Sequence, residues 1–158
     1  GASGLGRAIA LRLASDGVHV LVADVRADGA VETQALASGR AGRIDVTTVD
    51  VADADAVARL ADEADRLFGA TDLLVNNAAI APPLPALEEA AKRWRLAVDV
   101  NLNEPFWFMY HLCPRMDGGR VINVSSVAAV MPNFGRASYT TTKRALEALT
   151  HLAVERRA

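Results

Sequence analysis

The 158-residue chain is the size of one domain and long enough to bury a core. It is 51% apolar and 23% charged with a net charge of -2, which gives no broad basic surface for nucleic acid or an anionic membrane, and no apolar run is long enough to span a bilayer. A single cysteine, Cys113, excludes an internal disulfide and fits a reducing, cytoplasmic setting as a small buried residue; His19, His111 and His151 lack metal-site spacing, so no metal is expected.

Gly1-Ala2-Ser3-Gly4-Leu5-Gly6 leads directly into an amphipathic helix with apolar residues at 5, 9 and 13 and at 10 and 14. Glycines at a helix start let backbone approach a pyrophosphate, and the helix N-terminus supplies N–H groups and a positive dipole. A dinucleotide loop normally follows a strand, and none precedes this one. Val18 to Ala23 predicts a short strand ending at Asp24, about twenty residues beyond the glycines, where a carboxylate can accept hydrogen bonds from an adenosine ribose. A helix follows near 28–38.

Ile44 to Val49 reads as a second strand ending in Asp50-Val51, and Asp53 opens a helical pattern to Phe68 with Gly69 as terminator. Asp55, Asp62, Glu63 and Asp65 form its expected solvated face. Asp72 to Val75 begins a third strand running into Asn76-Asn77-Ala78-Ala79, whose paired amides can satisfy loop backbone. Pro82, Pro83 and Pro85 enforce an extended connection.

From Leu87 to Met116 the pattern is helical in two pieces, with Pro105 at the start of the second or kinking it. Trp94, Phe106, Trp107, Phe108 and Tyr110 read as core or subunit contacts. Asn101 is the polar exception in this stretch and is expected to need partners and to distort the helix backbone. Asp117-Gly118-Gly119 turns into the strand Val121 to Ser125, and the last helix runs from Ala137 to the final residue. Strands alternating with helices predict an α/β fold with a parallel sheet covered by helices on both faces, in one domain over 1–158.

The chemistry concentrates between Ser126 and Lys143. Tyr139 and Lys143 are spaced i and i+4 and share a helix face. A loop with Pro132, Asn133 and Gly135 joins that helix to Ser126, so one fold can gather a hydroxyl, a phenol and an ammonium. An ammonium one turn away favours an ionised phenol. Lysine is scarce here, Lys92 and Lys143 against a background of arginine, and its compact point charge differs in kind from a guanidinium.

In ordered combination, these segments resemble the short-chain dehydrogenase/reductases, in their single-domain branch. The resemblance rests on G-A-S-G-L-G, Asp50-Val51, N-N-A-A at 76–79, Asn101 in V-N-L, and Ser126 thirteen positions before Tyr139-x-x-x-Lys143. It implies a Rossmann-like doubly wound sheet and hydride transfer between NAD and an alcohol or ketone. It implies that Ser126 hydrogen-bonds the substrate oxygen, Tyr139 is the general acid/base, Lys143 supports Tyr139 and the nicotinamide ribose, and Asn101 holds a relay water. Cofactor contacts would come from Ser3, Gly4, Leu5, Gly6, Asp24, Asp50, Val51, Asn77, Ala78, Ala79, Tyr139 and Lys143. Asp24 and Ser3 favour NAD over NADP, with Arg26 as a counterweight. Homodimers or homotetramers through helices near 103–116 and 137–157 are implied as well.

The chain departs from that pattern in several places. Gly4 and Gly6 match the second and third glycines, and the first, with the first strand, would precede Gly1. The strand and Pro-Gly segment beyond the Lys143 helix are also not present, so the resemblance implies a domain truncated at both ends and inactive in isolation. Ala79 stands where glycine is usual, and Glu104-Pro105 follows Asn101 where glycine is common. Two alternatives remain: an epimerase or dehydratase relative, disfavoured by the N-N-A-A segment, and a non-catalytic NAD-binding sensor or scaffold.

Overall fold

The computed structural model describes residues 1–82, 90–131 and 136–154. Pro83 and Pro85, the helix start at Leu87, the Pro132–Gly135 loop and the final residues 155–158 lie outside them. The elements in chain order are α1 (Gly4–Ser15), β1 (His19–Asp24), α2 (Ala27–Leu36), β2 (Arg43–Thr48), α3 (Ala54–Phe68) and β3 (Leu73–Asn76). They continue with α4 (Ala91–Val98), a π turn (Asp99–Asn103), α5 (Glu104–Leu112), a 3-10 turn (Cys113–Arg115), β4 (Arg120–Asn123), a second 3-10 turn (Val127–Ala129) and α6 (Ala137–Val154).

The strands form two parallel pairs. β1 lies beside β2 in the register His19↔Arg43 to Asp24↔Thr48, and β3 beside β4 from Leu73↔Arg120 to Asn76↔Asn123. No ladder joins the pairs among the described residues, so the expected sheet is present as two halves. The period-2 alternation of β1 shows how helices cover both faces. Val20 and Val22 pack with Ala10, Ala14, Ala30 and Ile44 against α1 and α2. Leu21 and Ala23 turn the other way, onto the core of Val57, Leu60, Leu74, Phe108, Met109 and Leu112 from α3, β3 and α5. That second core bridges the two strand pairs.

Local chemistry sets the element ends. β1 begins one residue later than expected because the Val18 N–H closes α1 by bonding the Leu13 carbonyl at 3.0 Å. Asp53 caps α3, its Oδ1 accepting from the Asp55 and Ala56 N–H groups at 2.9 and 3.2 Å. Asp53→Ala is expected to cost about 1 kcal/mol, read as a lower Tm by circular dichroism, and an unchanged Tm would show the cap to be immaterial. The acidic face of α3 is not wholly solvated as expected: Arg115 reaches across from the 3-10 turn to Asp62 and Asp65 at 2.8 and 2.7 Å.

The helical stretch after Ala90 divides as expected, and the junction is a full π turn centred on Asn101. Pro105 falls in the first turn of α5, where a missing N–H is tolerated. Phe108 is buried, whereas Trp94, Phe106 and Tyr110 remain exposed, and Phe106 stacks on Tyr110 with centroids 6.1 Å apart. Cys113 is half-buried at the edge of the second core.

Candidate active site

The glycine segment meets β1 and α2 at the start of α1. Gly4 has φ of 53°, a left-handed conformation that favours glycine. A Cβ on Gly6 would lie 2.7 Å from Nδ2 of Asn77, so this glycine lets the N-N-A-A segment pack against the helix start. Asp24 holds the loop from the strand end: its Oδ2 accepts from the Gly1 and Ala2 nitrogens at 2.8 and 2.7 Å, and Oδ1 from the Arg26 N–H at 3.0 Å. Burial acts to raise the Asp24 pKa, while the hydrogen bonds from the Ala2 and Arg26 N–H groups act to lower it. Arg26 donates to the Ser3 hydroxyl beside it.

Arg7 and Thr33 escaped the sequence reading. Arg7 Nη2 donates to the Ala2 carbonyl at 2.7 Å, and its Nε to Thr33 Oγ1 at 3.1 Å; the buried Thr33 hydroxyl lies 3.1 Å from the Gly1 carbonyl and 2.9 Å from that of Gly29. The available signal was electrostatic, since a cation near a helix N-terminus opposes the dipole and calls for another partner. Leu5 is exposed, Asp50 accepts from the Ala52 N–H at 3.0 Å, and Val51 packs on the second core. Asp50 also lines a cavity of about 250 Å³ with Thr48, Asp53, Arg59 and Glu63, to which none of Ser126, Tyr139 or Lys143 contributes. Ala78 is half-buried and Ala79 exposed.

At the other end of the site, the exit of β4 and helix α6 carry the chemistry-bearing side chains. Lys143 is only 1% exposed; its Nζ donates to the Val124 carbonyl at 2.6 Å and sits 5.9 Å from the centroid of the half-buried Tyr139 ring. Val124 lies two residues before Ser126, so this bond ties the strand exit to the helix. Ser126 Oγ accepts from the Ala128 N–H at 3.2 Å and caps the 3-10 turn, which leaves its O–H to donate elsewhere. The neighbouring Ser125 hydroxyl instead donates to Glu147 of α6 at 2.9 Å; side chains adjacent in extended backbone point to opposite sides.

Asn101 is fully buried and wholly engaged with protein. Its Oδ1 accepts from the Ile80 N–H at 2.8 Å, while Nδ2 donates to the Ile80 carbonyl at 2.9 Å and to Thr142 Oγ1 at 3.1 Å. The Thr142 hydroxyl in turn contacts the Ser138 and Tyr139 carbonyls at 2.8 and 3.1 Å. Asn101 therefore links the segment after β3 to the turn of α6 that carries Tyr139. At β3 itself, Asn76 Nδ2 donates to Asn123 Oδ1 at 2.7 Å, joining the strand ends.

Glu104, noted in the sequence only as a replacement for glycine, is 3% exposed, and its buried Oε2 has no hydrogen-bond partner among the described residues. Burial pushes its carboxyl up to about 8, opposed by the charge of Lys143. Burial likewise lowers Lys143, opposed by Glu104.

A helix start opened by glycines beside an acidic strand end, with strands paired in parallel and covered by helices, places the chain in a Rossmann-like α/β class. Residues 1–157 match the family model for short chain dehydrogenases, and the chain belongs to the short-chain dehydrogenase/reductase family. It is 35% identical over 157 residues to human dehydrogenase/reductase SDR family member 4, covering 96% of this chain and 56% of the relative. It is 32% identical to 3beta-hydroxysteroid dehydrogenase 2 of Eggerthella lenta, covering 95% and 60%. Among solved structures, a metagenomic short-chain oxidoreductase in complex with NADP aligns with a TM-score of 0.94 at 28% identity, covering 98% of this chain and 72% of that one. A Serratia marcescens short-chain dehydrogenase/reductase variant aligns at 0.89 and 33% identity, covering 94% and 62%. The chain thus spans little more than half the length of these curated relatives. No helix among the described residues is long and apolar enough to cross a membrane.

Proposed function

We propose that the protein is an NAD(H)-dependent alcohol dehydrogenase or carbonyl reductase, of which residues 1–158 form part of a single nucleotide-binding domain. The observation carrying this reading is the buried Lys143 ammonium beside Tyr139, anchored to Val124 at the strand exit. Such a cation stabilises the phenolate formed whenever the tyrosine gives up its proton. In reduction, Tyr139 donates its hydroxyl proton to the substrate oxygen; in oxidation it accepts the proton of the substrate hydroxyl. Ser126 donates a hydrogen bond to the same oxygen as charge develops there. A bound nicotinamide supplies or accepts the hydride.

The residues at the start of α1 suit a dinucleotide. First-turn N–H groups of a helix lack intrahelical acceptors, and Gly4, Leu5 and Gly6 leave this end open to a pyrophosphate, with Ser3 and Asn77-Ala78-Ala79 beside it. Asp50 and Val51 would flank the adenine, and Asp24 would take the ribose. An aspartate carboxylate is ionised at neutral pH, so Asp24 repels a 2′-phosphate, and Arg26 is already occupied by Ser3. Asn101 positions the turn of Tyr139 through Thr142, and a relay water would need other contacts than its amide hydrogens. The exposed Phe106 and Tyr110 support homodimer or tetramer contacts through α5 and α6, and a single cysteine is compatible with the cytoplasm.

The test is turnover by the complete protein on a panel of alcohols and ketones, followed by nicotinamide absorbance. kcat/KM with NAD is expected to exceed that with NADP by roughly tenfold or more. Equal or better use of NADP would defeat the cofactor assignment. Cofactor binding without turnover across the panel would favour a sensor or scaffold instead.

A further inference from the structure

The loop that opens α1 is held by a second helix, α2. Ala2 is 1% exposed, and α2 approaches it so closely that a Cβ on Gly29 would lie 2.8 Å from both the Ala2 Cβ and its carbonyl oxygen. One turn further along α2, the fully buried Thr33 hydroxyl sits among three groups. Its oxygen accepts from Arg7 Nε at 3.1 Å, and its one proton is shared between the carbonyls of Gly29 at 2.9 Å and Gly1 at 3.1 Å. Arg7 Nη2 completes the set, donating to the Ala2 carbonyl at 2.7 Å and to Glu32 at 2.6 Å. The Glu32 side chain is 61% exposed, so that ion pair contributes little, and the buried contacts decide.

Two consecutive loop carbonyls, those of Gly1 and Ala2, are thus taken up by Thr33 and Arg7. A carbonyl dipole aimed at a phosphate would oppose its binding, whereas the first-turn N–H groups of α1, free of intrahelical acceptors, favour it. We propose that Arg7 and Thr33 are positioning residues for the cofactor's pyrophosphate. They hold the Gly1-Ala2 backbone so that the N–H groups at the start of α1 keep one geometry, and they set dinucleotide affinity without taking part in hydride or proton transfer. This rests on the nucleotide-binding reading above. A loop fixed in advance lowers the ordering cost of binding. Because the pyrophosphate is common to NAD and NADP, the brace acts equally on both, unlike Asp24 at the ribose end.

Fluorescence titrations of the complete protein with NADH and with NADPH, beside steady-state kinetics, provide the test. Thr33→Val keeps the branched shape and deletes the hydroxyl. The Kd of each cofactor is expected to rise by about tenfold, their ratio holding, with kcat at saturating cofactor within about twofold of wild type. Thr33→Ser, which returns the hydroxyl, should recover most of the affinity. Arg7→Lys keeps the charge but loses the planar fork that spans Ala2 and Thr33, and should weaken both cofactors alike. The double variant should lose little more than either single one, because the two residues act as a unit. An unchanged Kd in folded Thr33→Val, even with a lowered urea midpoint, would overturn the proposal and leave the nucleotide reading standing. A loss confined to one cofactor, or a fall in kcat as large as the rise in Kd, would overturn it as well. Should Thr33→Val not fold, Arg7→Lys decides by the same readings. A wild type that binds neither NADH nor NADPH would remove the nucleotide reading, and this proposal with it.

Discussion

Tyr139→Phe is expected to lower kcat by roughly a thousandfold, within the range that positioned general acids and bases contribute, while leaving cofactor affinity within about twofold. The substitution removes one oxygen from a half-buried ring and keeps the packing, so the fold should persist. Lys143 Nζ is anchored to the Val124 carbonyl rather than to the phenol, and that anchor survives the loss of the hydroxyl. The readouts are steady-state turnover in both directions and a fluorescence titration with NADH. A rate close to wild type would mean that another group handles the substrate proton, and the assignment of Tyr139 would fall. Equal loss of turnover and of cofactor binding would point to a role in holding the nicotinamide half instead.

The elements were legible in the sequence to within a residue or two because their signals are local: alternation in β1, the Asp53 cap and Gly69 around α3, and Pro105 at the head of α5. The π turn was foreshadowed by a lone Asn in an apolar helix, a position that has to find partners. What the sequence did not disclose depends on which distant groups meet. The Asn101 amide bonds Ile80 and Thr142, twenty-one residues before it and forty-one beyond it. Ser125 and Ser126 take different partners, Glu147 and the Ala128 N–H, and that depends on how the segment leaving β4 packs against α6. Arg7 and Thr33 brace the glycine segment through contacts between α1 and α2 that no spacing rule encodes. Glu104 stood out in the sequence only as a replacement for a common glycine, and only the packing of α5 against its neighbours reveals that it is buried.

Asn101→Ala should expose how far the fold and the chemistry share one support. The substitution leaves the Ile80 N–H and carbonyl without their side-chain partner and takes a donor from Thr142, all at a fully buried position. Leaving a buried polar group unsatisfied costs about 1–3 kcal/mol. Some relaxation or water entry will offset the total, so a loss of about 2–4 kcal/mol is expected for the set, read as a lower urea midpoint in the complete protein. Asn101→Asp should recover the bond from the Ile80 N–H but oppose the Ile80 carbonyl with a buried anion, and so should be no better at neutral pH. Because Thr142 passes the contact on to the Tyr139 carbonyl, kcat should also fall in the alanine variant that remains folded, by roughly tenfold, about 1.4 kcal/mol. Unchanged stability with a large loss of rate would contradict this account and favour the relay-water role for Asn101. Lost stability with an intact rate would show that the clamp holds the chain together without guiding the tyrosine.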